Sequence, residues 1–228
     1  MLTLPVLLVS FGVVAAPVYT PPRTRRPRPV EQPATAVTAA TRDLATSAAA
    51  LGDPSLSDAE VQARVRNYLS SIDVGASVAD WRAVGVRALP LLQQVLDNRE
   101  ELSSRRAGAI AGVAAVGGAR ARTLVLQVAE SEREPFFVRA AALRCAPLVL
   151  DAAELVRELV PVLESANEPA TRAAAAEVLA RHAPAAACGA VRSAVEREAA
   201  ASPRAEERDD IRARFARSIE QCDAALAP

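Results

Sequence analysis

The sequence predicts an all-α protein, an α-solenoid of about four helical hairpins preceded by one extra helix. Hydrophobic residues make up 51% of the 228 residues but aromatic residues only 3%, which favours thin stacked layers of helices over a thick globular core. Apolar residues recur at helical spacing, and no long stretch alternates with a period of two. An Arg-Ala step recurs every 33 residues, at Arg106, Arg139 and Arg172. A fixed period of roughly 20 to 50 residues is typical of repeat proteins.

The N-terminal part of the chain differs from this pattern. Residues 1–16 form an apolar run that ends in Val14-Ala15-Ala16, which is typical of a cleaved signal peptide; an uncleaved membrane anchor formed by residues 1–22 is the alternative. Residues 17–56 are rich in Pro, Arg and Ala and predict a flexible linker. We therefore expect an exported protein, periplasmic or in the cell envelope, with its helical domain over 57–228. A wrongly assigned start would instead make it cytoplasmic.

Start and stop signals delimit the first helices of this domain. Ser57-Asp58-Ala59-Glu60 is a capping box and opens a helix over 57–71. Ser77-Val78-Ala79-Asp80 opens a second helix over 78–96, which Pro90 is expected to kink. A third helix over 103–116 stops at Gly117-Gly118.

The remaining helices follow with short turns between them. Asp151-Ala152-Ala153-Glu154 caps one of them, and Ser202-Pro203 opens the last. Their predicted spans are 119–130, 135–149, 152–165, 169–182, 184–200 and 203–225. The predicted hairpins pair 78–97 with 103–116, 119–130 with 135–149, 152–165 with 169–182, and 185–200 with 203–225. Such units must stack to bury both of their apolar faces.

Two of the repeated segments carry a family resemblance. EPFFVRAAA at 134–142 and EPATRAAA at 168–175 share an acidic-Pro turn followed by an Arg-Ala-Ala run. This pattern resembles the second helix of HEAT repeats, including HEAT-like repeats of the phycobilisome-lyase type, over roughly residues 78–226. In the last unit the comparable step is Ile211-Arg212-Ala213. The resemblance implies an α-solenoid that binds other macromolecules, and it names no particular partner.

The arginine ladder, formed by Arg106, Arg139 and Arg172, has two interpretations. The three cations could bind an acidic partner, or each could tie its helix to the preceding turn, as the resemblance to HEAT units implies. Acids stand four or five residues earlier to receive them, and Arg is well shaped for fixed bidentate pairs. The expected pairs are Arg106 with Glu101, Arg139 with Glu134, and Arg172 with Glu168.

The cysteines suggest a covalent link in the last hairpin. Cys188 and Cys222 lie at equal distances on either side of residue 205, so an antiparallel hairpin would place them at the same height. In an exported protein this favours a disulfide; two buried thiols are the alternative. Cys145 is left over and is expected to pack in an alanine-rich core. His182, the single histidine, is expected to meet the last carbonyl groups of its helix.

The composition also limits the functions to be considered. The 27 basic residues are balanced by 27 acidic ones, which argues against a nucleic-acid binder. No phosphate loop, nucleophile elbow or metal-ligand spacing is present, so we expect no catalytic residue, no cofactor and no metal. The sequence favours a non-enzymatic scaffold that binds a protein or peptide on the concave face of its second helices. The alternative is an enzyme accessory or lyase-like protein that handles a small ligand or chromophore.

The large aromatic residues also have two interpretations. One of Trp81, Phe136 and Phe137 could anchor a partner, as aromatic side chains often do in interfaces. Otherwise each fills a gap between layers of small residues.

Overall fold

A computed structural model describes residues 52–71 and 75–227. The candidate signal peptide and most of the predicted linker lie outside the described residues. The regular elements of the described residues are helices, which confirms the all-α class. They are α1 (Asp58–Ser70), α2 (Val78–Val84), α3 (Leu89–Asp97), α4 (Ser103–Val116), α5 (Gly118–Glu130), α6 (Phe136–Cys145), α7 (Ala152–Ser165), α8 (Pro169–His182), α9 (Pro184–Ala201) and α10 (Ala205–Leu226).

Capping boxes fix the starts of three helices. Ser57 Oγ accepts a hydrogen bond from the backbone N–H of Glu60 at 3.3 Å, and the Glu60 carboxylate accepts one from the backbone N–H of Ser57 at 2.7 Å. These bonds satisfy amide groups that have no partner within the helix. The same reciprocal arrangement recurs with Ser77 and Asp80, and with Asp151 and Glu154.

The break in the second predicted helix is not where Pro90 suggested. A 3₁₀ turn, Gly85–Ala88, separates α2 from α3, and Gly85 adopts a φ of 71°. Pro90 instead lies in the first turn of α3, where its missing N–H costs no helical hydrogen bond. The kink therefore results from the glycine. Pro161, by contrast, lies inside α7.

The helices pack as two rows. The B row consists of α4, α6, α8 and α10, and each of these helices packs against the next. The A row consists of α2 with α3, then α5, α7 and α9. Antiparallel neighbours pair α3 with α4, α5 with α6, α7 with α8, and α9 with α10. Three B-row helices, α4, α6 and α8, carry long runs of buried residues, so the core lies along this row.

Small side chains let larger ones enter the helix interfaces. A Cβ added to Gly112 of α4 would lie 3.0 Å from the ring of Trp81 and 3.1 Å from Leu92 Cδ1. Trp81 is buried and meets Tyr68 edge to face, with ring centroids 5.0 Å apart. Trp81 therefore fills the space between α1, α2 and α4, as one of the two interpretations of the aromatic residues expects.

The packed part of the chain begins before Ser57. Residues 52–56 belong to the predicted linker, yet the backbone N–H of Asp53 donates to the Ala83 carbonyl at 2.8 Å, and Leu56 is buried. Arg87 donates to the carbonyl groups of Leu56 and Asp53 at 2.7 and 3.0 Å. These bonds fasten the segment to the turn between α2 and α3.

No described helix combines the length and the hydropathy that a membrane span requires.

Candidate functional site

The first arginine of the ladder closes the end of the preceding helix. Arg106 is 3% exposed. Its Nε and Nη2 atoms donate to the Leu96 carbonyl in the last turn of α3, at 3.1 and 2.7 Å. This carbonyl is one of those that a helix end leaves without an intrahelical partner. Nη2 also lies 2.6 Å from Oε2 of Glu134, which neutralises the buried guanidinium group.

The second arginine makes the equivalent backbone bond without an acidic partner. Arg139 is 4% exposed, and its Nε atom donates to the Ala129 carbonyl at 3.3 Å. Ala129 stands 33 residues after Leu96, so the two bonds are the same contact in successive hairpins. Among the described residues, no carboxylate lies within ion-pair distance of Arg139.

The third arginine binds both the turn and a neighbouring helix. Arg172 donates from Nη1 to the Ala166 carbonyl at 2.7 Å. Its Nε and Nη2 atoms contact the two carboxylate oxygens of Glu198 at 2.9 and 2.8 Å. Glu198 belongs to α9, the next helix of the A row, so this bidentate pair fastens two hairpins together.

The last hairpin continues the series at Arg208, which the recurring Arg-Ala step did not indicate. Arg208 donates to the Ser202 and Pro203 carbonyl groups at 3.1 and 3.4 Å, as Arg172 does to the turn before its own helix. Arg212, which carries the Arg-Ala step of the last unit, is exposed and forms an ion pair with Asp209 at 3.7 Å. The equivalent arginine therefore comes four residues earlier than the Arg-Ala step suggested.

The expected acidic partners of the ladder are wrong. Glu101 pairs with Arg105 at 3.2 Å, and Glu168 accepts a hydrogen bond from Thr171 at 3.0 Å. Glu134 pairs with Arg106 of the preceding hairpin. Because B-row helices lie side by side, the turn of one hairpin is closer to the arginine of the hairpin before it.

The cysteines of the last hairpin are joined. Cys188 of α9 and Cys222 of α10 form a disulfide with an S–S distance of 2.03 Å and a Cα–Cα distance of 5.5 Å. Both residues are buried, so the bond links the two helices from within their interface. Cys145 is a free, partly buried thiol that packs against the core, and burial raises its pKa above the usual 9.0.

The single histidine has no metal-binding partners in the described part of the chain. His182 lies exposed at the end of α8, and its side chain makes no hydrogen bond to a described residue, in contrast to the expected bonds to helix carbonyls. Partial burial lowers its pKa below 6.5, and the nearby Arg181 lowers it further. The described residues hold no group of three or more His, Cys, Asp or Glu side chains arranged for a metal ion.

Exposed and half-buried side chains recur at helical spacing on three helices of the B row, and together they are here called the B-row face. Its members are Ser104, Ala107, Gly108 and Ala111 of α4, Phe137, Ala141 and Arg144 of α6 with Leu148 of the 3₁₀ turn that follows it, and Ala170, Ala173, Glu177 and Arg181 of α8. Equivalent positions such as 104, 137 and 170 lie 33 residues apart. Most members are small, but Phe137 is 70% exposed and is the largest side chain of the face. Sequence reasoning left open which of the three aromatic residues is exposed.

A cleft continues the B-row face beside α4. It has a volume of about 500 Å³, and its walls include Tyr68, Leu69 and Trp81 on one side and Gly108 on the other. Leu102, 61% exposed, stands at its edge. A Cβ on Gly108 would come within 3.3 Å of Leu69, so this glycine helps to keep the cleft open. The walls are mainly apolar and would suit an apolar side chain.

The described fold defines an all-α protein built on helix-on-helix packing. Comparison of the chain with protein-family models, curated proteins and solved structures found no match. The resemblance to HEAT repeats therefore depends on the repeated residues themselves.

Proposed function

We propose that this protein is a non-enzymatic scaffold, a HEAT-like α-solenoid that binds a protein or peptide segment on the B-row face. The observation that carries the proposal is the exposure of Phe137 on a surface of small residues. A large apolar side chain exposed in this way is typical of an interface anchor, and small neighbours leave room for a partner's backbone to approach.

The cleft beside α4 supports the same function. It lies along the B-row face at the start of the row, where Leu102 adds a second exposed apolar side chain. A bound segment that placed one apolar side chain in the cleft and another against Phe137 would bury apolar surface at two points. Each fully buried large apolar side chain contributes about 1.5–3 kcal/mol.

We also propose that the protein is exported. The Cys188–Cys222 bond supports this proposal, because structural disulfides persist in oxidising compartments and are rare in the cytosol. The apolar N-terminal residues, 1–16, agree with the same location.

Peptide selection tests the binding proposal. Peptides selected from a random library on the full-length protein should share apolar anchor residues, and F137A should weaken their binding about tenfold or more, equivalent to about 1.4 kcal/mol. V86A is the matched control, since Val86 is also an exposed apolar residue but lies in the turn between α2 and α3. Equal affinity of the wild type and F137A, with V86A unchanged, would contradict binding at this face.

A further inference from the structure

A cavity of about 190 Å³ lies beside Arg139, between the end of α5 and the side of α7. Pro161, Val162 and Ser165 of α7 form part of its wall. A similar space between α7 and α9 is lined by Arg172 and Glu198. Since Arg139 and Arg172 are equivalent members of the ladder, the two spaces are the same site in successive hairpins.

The later site contains its own carboxylate. Glu198 contacts Arg172 through both of its oxygens, at 2.9 and 2.8 Å. The residue 33 positions before Glu198 is Ser165, whose hydroxyl donates to the Pro161 carbonyl of its own helix at 2.7 Å. A neutral side chain therefore stands at the position from which an acid would neutralise Arg139.

The kind of counter-charge that Arg106 has is also missing beside Arg139. Glu134 neutralises Arg106 from the following turn. The residue 33 positions after Glu134 is Asn167, and its Nδ2 atom donates to Glu132 at 2.6 Å. Both positions that supply an acid elsewhere in the ladder are thus neutral around Arg139.

This leaves Arg139 as a buried cation beside an open space. It is 4% exposed and makes one hydrogen bond to the described residues, from Nε to the Ala129 carbonyl. A buried charge is costly unless it is paired. A carboxylate that entered the cavity would relieve this cost in the way that Glu198 does at Arg172.

Acidic residues around the cavity restrict what can enter. Glu130, Glu132 and Glu158 contribute to the lining. Glu158 is paired with Arg157 at 2.8 Å, and Glu132 is held by Asn167. Their negative charge opposes an anion in proportion to its charge, so a single carboxylate is favoured over a multiply charged phosphate.

We propose that this cavity binds one carboxylate group of a partner protein, from an acidic side chain or from a C-terminus, on Arg139. The site lies between A-row helices and is independent of binding at the B-row face. The two proposals can therefore fail separately.

The test is an NMR titration of the Arg139 Nε–H resonance in the full chain, assigned with R139K. Sodium acetate should shift this resonance saturably, whereas sodium chloride at equal ionic strength should not, and phosphate should bind more weakly. Two peptides identify the source: one carries an internal Glu and an amidated end, and the other is uncharged apart from a free C-terminus. A Gln peptide with an amidated end is the control and should give no shift.

S165E is the decisive variant because it supplies the carboxylate from within the chain. It should weaken the acetate response at least tenfold and raise the melting temperature. A200E adds the same charge in the last turn of α9, where the residue is exposed, and should leave the response unchanged.

Three results would overturn the proposal. They are an acetate response no different from that of chloride, a response that persists in S165E, and a response to acetate with none to either acidic peptide.

Discussion

At the scale of single residues, the ladder shows that one arginine position serves several purposes. Arg106, Arg139 and Arg172 all donate to carbonyl groups at the end of the preceding A-row helix or in the turn after it. The sequence predicted these positions correctly because the period is regular. It did not predict the acidic partners, since these depend on the rotation of each helix against the next hairpin.

Replacement of Arg106 should be strongly destabilising. R106Q would leave Glu134 with only the more distant and exposed Arg99, at 3.8 Å, and the Leu96 carbonyl without its donor. We expect the free energy of unfolding to fall by about 3–5 kcal/mol, the usual cost of breaking a buried ion pair, as measured by urea denaturation.

R105Q is the matched control, because Arg105 forms an exposed pair with Glu101, and should cost less than about 1 kcal/mol. Similar losses in both variants would contradict the structural role of the ladder.

At the scale of helices, the sequence predicted helix starts best where the signal lay within a few neighbouring residues. The capping boxes predicted the starts of α1, α2 and α7 because both partners lie within four residues of each other. The kink predicted at Pro90 was wrong because a proline is compatible with either a kink or the first turn of a helix. The structure shows that the chain breaks at Gly85, which has a positive φ.

The capping boxes should make stability fall in acid. The pKa of Glu154 is below its usual 4.5, mainly through the backbone N–H of Asp151 and also through Arg122. The pKa values of Glu60 and Asp80 are also lowered, mainly by the hydroxyl groups of Ser57 and Ser77 and then by the backbone N–H groups of the same serines. Because the folded state holds these pKa values down, their contribution is present above about pH 4.5 and is lost as the pH falls through the lower folded values.

E154Q tests this pH dependence. The variant should melt at a lower temperature than the wild type at pH 7, and the difference should shrink as the pH falls through the lowered pKa of Glu154, because the native carboxyl is then protonated as well. E100Q removes an exposed carboxylate outside the caps and should follow the wild-type curve. A constant difference between E154Q and the wild type from pH 2 to 7 would contradict the account.

The disulfide should stabilise the last hairpin. It spans 34 residues of sequence, and closing a loop of this size contributes about 4 kcal/mol in the chain-entropy model. The double variant C188A/C222A should therefore unfold at a clearly lower urea concentration than the wild type, whereas C145A should change the midpoint little. An unchanged midpoint in the double variant would show that the bond adds no stability.

At the scale of the whole molecule, repetition explains both what could be predicted and what could not. A period of 33 residues predicted recurring helical hairpins, and the described helices do pack against their neighbours along the chain. The last hairpin departs from this period, because Arg208 follows Arg172 by 36 residues. The Arg-Ala step at Arg212 therefore indicated a position four residues too late. The exposure of Phe137 could not be predicted from the sequence. Phe136 and Phe137 are adjacent and chemically identical, and only the structure shows that Phe136 packs against the core while Phe137 does not.

The same regularity makes the exceptions informative. Phe137 and Ser165 differ in size or charge from the residues at the equivalent positions of neighbouring hairpins. Neither difference adds an evident contact to another described helix that stabilises the fold. We accordingly place partner binding at Phe137 and, beside Ser165, at Arg139.

The most direct test of the proposed function is photo-crosslinking in the native cell with benzoylphenylalanine at position 137. Phe137 is exposed and aromatic, so the replacement should leave the fold intact. We predict a discrete crosslinked adduct from position 137 and none from position 86, which is exposed on the turn between α2 and α3. Equal crosslinking from both positions, or none from position 137, would contradict the B-row face as the binding surface.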